Sequence, residues 1–92
     1  MMWKVISEQD LHFHSWGNEF VVYNNLSGDT HLLNWAAAQI LLKLKESPSN
    51  AVLLATALAP FWQVDPDAEL ALQIENILSD LNAIALIERT QS

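Results

Sequence analysis

At 92 residues, 51% hydrophobic and 16% charged, the chain is sized for one domain that buries roughly 60–70% of its unfolded surface, and it is too apolar to stay disordered. Eleven acidic residues against Lys4, Lys43, Lys45 and Arg89 give a net charge of -7, which repels a phosphate backbone and argues against nucleic acid as a partner. The absence of cysteine excludes a disulfide framework, a thiolate zinc site and a cysteine nucleophile.

The start, Met1 to Glu8, has no basic head followed by an apolar run, so no signal peptide is expected. The longest apolar run, Ala51 to Trp62, is interrupted by Thr56 and Pro60 and is too short to span a bilayer. A single cytoplasmic domain over residues 1–92, with no membrane partner, is the expectation.

Trp3-Lys4-Val5-Ile6 reads as a short additional strand. From Leu11 the chain alternates, Leu11, Phe13 and Ser15 pointing one way and His12, His14 and Trp16 the other, before a turn at Gly17-Asn18. Glu19 to Tyr23 is β-branched and aromatic, suited to a half-buried pleated surface. Asn24, Asn25, Ser27, Gly28 and Asp29 supply turn chemistry, and Thr30 to Leu33 returns as the second arm. Together these predict one small antiparallel sheet.

At Asn34 the hydrophobic period changes from two to about 3.6 residues. Asn34 suits an N-cap; Ala37, Ile40, Leu41 and Leu44 share one face; Lys43 and Lys45 favour the helix C-terminus, and Pro48 ends it. A second helix is expected to start at Ser47-Pro48 or Ser49. Val52, Leu53, Leu54, Ala57, Leu58 and Phe61 surround much of it, which predicts burial on several sides and a frayed end at Pro60. Asp65-Pro66-Asp67 predicts a third helix capped by Asp65 with Pro at its first position. Leu70, Ile74, Ile77, Leu81 and Ile84 recur at steps of four and three as its core seam. Leu72, Asn76, Ser79 and Ala83 form a separate stripe, either one wall of a groove or a solvated face with one stray leucine. Leu86-Ile87-Glu88 reads as an extended tail packing back on the domain. The class is α+β, a small antiparallel β-sheet followed by three helices, winged-helix-like.

Reactive constellations are scarce. His12, His14 and His31 could approach one another, but no spaced ligand set such as HExxH accompanies them, and ordinary strand histidines with no metal are the expectation. No nucleophile elbow or phosphate-binding glycine loop is present. The second helix carries no Lys or Arg to place against phosphates, so the winged-helix analogy does not carry DNA binding with it. The four tryptophans, Trp3, Trp16, Trp35 and Trp62, exceed what so small a core needs and leave room for an interaction surface.

The run Phe20-Val21-Val22-Tyr23 through Gly28, then Leu33-Asn34-Trp35-Ala36-Ala37-Ala38-Gln39-Ile40-Leu41, resembles the PqqD-like proteins, also called the RiPP recognition element family. The similarity continues weakly to Ile87 and is greatest toward members of the HPr-rel-A system, which are associated with an HPr-kinase-related protein. This chain has Trp35 where the family often has Pro, and Ala85 where it often has Gly.

The resemblance implies a non-catalytic peptide chaperone without a cofactor. The leader of a ribosomally made precursor peptide would add as a strand to the sheet edge and be presented to a modifying enzyme. It implies that Thr30, His31, Leu32 and Leu33 form the docking edge and that Leu72, Asn76, Ser79 and Ala83 form the facing wall. Two other classes stay open: an adaptor subunit docking on a kinase-like partner through exposed tryptophans, and a DNA-binding winged helix. An unpaired edge also leaves homodimer formation open.

Overall fold

The computed structural model describes residues 2–6, 11–17, 19–25 and 27–90. Five strands and three helices follow in the order β1 (Met2–Val5), β2 (Leu11–Trp16), β3 (Glu19–Asn24), β4 (Thr30–Leu33), α1 (Trp35–Glu46), α2 (Ala51–Trp62), α3 (Ala68–Ala83) and β5 (Ile87–Thr90). The class is α+β, as the sequence predicts.

The strands divide into two antiparallel sheets instead of one. β2, β3 and β4 form a meander, while β1 pairs with the C-terminal β5 in a register running from Met2 opposite Thr90 to Val5 opposite Ile87. The expected tail is therefore a strand, and the expected extra strand belongs to it. The reason is long-range: Trp3, Val5, Leu86 and Ile87 are all buried, and local composition cannot report a partner more than eighty residues away.

Turn chemistry sets the meander. Gly17 joins β2 to β3 at φ +58°; Asn18, the other half of that expected turn, lies outside the described residues. Between β3 and β4, Gly28 takes φ +78° and donates its N–H to the Asn24 carbonyl, while the Asn24 N–H donates to Asp29. Two residues of one arm oppose one of the other, a bulge that needs a left-handed first residue and so suits glycine.

β4 passes into α1 through Asn34 alone. Its side-chain oxygen accepts from the Ala37 N–H at 2.8 Å and its carbonyl accepts from the Ala38 N–H at 3.0 Å, so the cap leaves no slack between strand and helix. Ala37, Ile40, Leu41 and Leu44 are buried on the face the period predicts.

The second helix differs from expectation at both ends and round its circumference. Its cap is Asn50, whose side chain accepts from the Leu53 N–H, and it continues through Pro60 to Trp62. Pro60 lies in the last turn, where one missing N–H costs little cooperativity. Only Ala51, Leu54, Ala55, Leu58 and Ala59 are buried; Val52, Leu53, Ala57 and Phe61 face outward. Apolarity all round shows what a helix tolerates, and the number of neighbours decides what it buries.

Asp67, not Asp65, caps α3, its carboxylate accepting from the Leu70 N–H at 2.9 Å. The seam buries Leu70, Ile74, Leu78 and Leu81; Ile77 is half-buried and Ile84 exposed. Steps of four, four and three through Leu78 follow the 3.6-residue period better than the expected alternation of four and three through Ile77. Beyond the helix, Leu86 donates to the Leu81 carbonyl and Ala85 to that of Asn82, with Ala85 at φ +60°. This is a Schellman turn with alanine in the place that favours glycine.

Candidate functional site

β4 is an edge strand, because the meander runs β2-β3-β4. The bond from Asn24 to Asp29 fixes which of its groups are used. Hydrogen-bonded pairs alternate along an antiparallel ladder, so Val22/His31 and Phe20/Leu33 are bonded, while Tyr23/Thr30 and Val21/Leu32 are not. The N–H and C=O groups of Thr30 and Leu32 therefore point away from β3, toward the open edge. The side chains alternate too: Leu33 is buried and His31 half-buried on the face covered by α1, whereas Thr30 and Leu32 stand outward and Leu32 is 67% exposed.

Beside this edge a cleft opens toward α3, lined by Leu32, Leu33, Asn34, Ala37, Ile77, Asp80, Leu81 and Ile84. It holds about 230 Å³, less than the roughly 300–1,000 Å³ usual for a small-molecule pocket, and it suits one or two side chains of a longer ligand. A larger hollow of about 560 Å³ lies over Gln39, Leu42, Lys43, Lys45 and Glu46. Its lining comes from one helix alone and offers no strand edge, so it lacks the paired backbone and side-chain features of the β4 cleft.

The β4 half of the expected site is thus at an open edge, with Leu32 and Leu33 lining the cleft. The residues expected on α3 lie on another face of the helix. Leu72, Asn76, Ser79 and Ala83 are all exposed and none lines the cleft. At about 100° per residue their stripe is turned roughly 100° round the helix from the face carrying Ile77, Asp80 and Ile84. With Leu78 in the core seam in place of Ile77 and Ile84, those two isoleucines line the cleft. Two isoleucines flanking the core seam on one side are the available signal.

The outer face of the meander is a second unusual surface. His12, His14, Trp16, Val21, Tyr23 and Leu32 share it by register; the His14 and Trp16 rings stack at 5.6 Å and 11°, and Trp16 is 62% exposed. His31 stands on the opposite face from His12 and His14, and no cluster of three metal-ligating side chains occurs among the described residues. The other tryptophans have neighbours: Trp3 is buried with Arg89 5.1 Å from its ring, and Trp35 lies 5.6 Å from Trp62. No helix among the described residues is long and apolar enough to cross a membrane.

Charge completes the picture. Lys4 pairs with Glu88 at 3.4 Å and Lys43 with Glu46 at 3.6 Å, while Lys45 lies over the Phe13 ring and Arg89 over Trp3. Every basic side chain but His is thus engaged on its own surface, and Asp80 in the cleft has no ion-pair partner among the described residues. Compared with models of known protein families, with curated proteins and with solved structures, the chain shows no match.

Proposed function

We propose that this chain is a peptide-recognition module of the PqqD-like kind. It binds the leader of a precursor peptide as an added strand along Thr30–Leu33 and holds it for a modifying enzyme or an HPr-kinase-related protein, in a cytoplasmic setting. The supporting observation is the outward-directed backbone of Thr30 and Leu32 beside an apolar cleft on α3. Backbone bonds supply affinity in this mode, and sockets for alternate side chains supply selectivity. The lining is aliphatic apart from Asn34 and Asp80, so the site recognises a chain without needing to transform it.

Titration of isotopically labelled protein with leader peptides encoded beside its gene tests the proposal. Amide signals of Thr30 to Leu33, Ile77, Asp80 and Ile84 are expected to shift at micromolar peptide. Silence of those signals with every neighbouring leader removes the reading.

The stacked His14–Trp16 pair on the outer sheet face supports a second reading, an adaptor that docks on a kinase-like partner. Retention of that partner after Leu32→Pro, and its loss after Trp16→Ala, would favour the adaptor.

A further inference from the structure

The cleft beside β4 has one charge in an otherwise aliphatic lining. Asp80 shares it with Leu32, Leu33, Ala37, Ile77, Leu81 and Ile84; Asn34, the remaining polar residue, already uses its side-chain oxygen to cap α1. The carboxylate lies in the last turn of α3, which contains no basic residue, and its own carbonyl accepts from Ile84 in the closing turn. A negative charge there faces the negative end of the helix dipole. From Ser47 to Glu88 the sequence contains no Lys, Arg or His, so no nearby residue of that stretch offsets it. Asp80 is locally unfavourable for the helix and complementary to a cation arriving from outside.

A strand added to β4 sends alternate side chains into the cleft, at a period of two residues. From this geometry we infer that the bound segment carries a lysine or arginine opposite Asp80 and, two residues away on the same face, an aliphatic side chain lodged between Leu33, Ile77 and Ile84. The inference rests on strand addition at β4 and specifies the peptide that this edge selects.

The test uses a phage-displayed library of random peptides about 12 residues long, selected on the full chain, with the winners synthesised for titration and amide exchange. Enriched peptides are expected to share Lys or Arg two positions from Val, Ile or Leu and to protect the Thr30 and Leu32 amides. Asp80→Asn should weaken each by about two- to fivefold at low salt, as for an exposed ion pair, with a smaller ratio as salt rises. Its Tm should equal or exceed that of the parent, which separates lost affinity from lost fold. Replacing the peptide's basic residue by Gln gives the same loss on the unchanged protein. Peptides that protect Thr30 and Leu32 without a basic preference, and bind Asp80→Asn equally well, overturn this inference and leave strand addition standing. Failure of every peptide to protect those amides overturns both.

Discussion

β1 and β4 are treated in opposite ways as edge strands. In the terminal sheet β1 is held by β5 on one side and by Ser49 on the other, where Trp3 and Ser49 exchange two backbone hydrogen bonds, at 2.6 and 3.0 Å. Its apolar side chains, Trp3, Val5 and Ile87, are buried. In the meander, Thr30 and Leu32 turn outward the backbone groups that β3 does not use, and Leu32 exposes most of its surface. An open edge is an aggregation liability that folds usually block with charge, proline or a covering segment. Ser49 covers the free side of β1, whereas β4 lies open beside a cleft.

Substitutions sharpen the contrast. Ile87→Ala, in the closed sheet, removes a fully buried side chain and should cost about 2–5 kcal/mol in urea unfolding. Leu32→Pro, in the open edge, deletes an N–H that β3 does not use; the fold should persist by circular dichroism, while peptide affinity falls about tenfold or more. His31→Pro, one residue away, removes a ladder bond to Val22 and should unfold the meander instead. A result in which Leu32→Pro and His31→Pro destabilise equally would mean that the edge assignment is out of register.

Smaller effects probe how the edge is held against α3. Asn34→Ala should lose about 1 kcal/mol through the α1 cap, read as a lower urea midpoint. Ala85→Gly should gain about 0.5–1 kcal/mol, since a left-handed alanine is strained and the extra unfolded-state freedom of glycine cancels only part of the relief. Leu32→Ala should change stability by less than about 0.5 kcal/mol, because its side chain is already largely exposed.

Local features were legible in the sequence wherever the cause was local. The glycine turns, the Asn34 cap, the strand alternation of His12 to Trp16 and the face of α1 all follow from side chains within a few residues of one another. The pairing of β1 with β5 did not, since it depends on contacts between the two ends of the chain. Val52, Leu53 and Phe61 look like core residues by composition, yet all three lie on the exposed side of α2, where Lys43 approaches the Phe61 ring at 5.9 Å. At the candidate site Thr30 to Leu33 could be placed on an edge, because a short arm followed at once by a helix ends a meander. The α3 wall could not, because choosing Ile77 over Leu78 for the seam rotates the whole groove face, and periodicity alone weighs the two almost equally.

The central claim is that Thr30 and Leu32 offer free backbone groups to an added strand. Hydrogen exchange of the amides of β4, measured without and with a bound leader peptide, tests it most directly. Without peptide, Thr30 and Leu32 should exchange rapidly while His31 and Leu33 are protected; with peptide, all four should be protected. Equal protection of the four amides before any peptide is added, or no gain at Thr30 and Leu32 afterwards, would contradict the account.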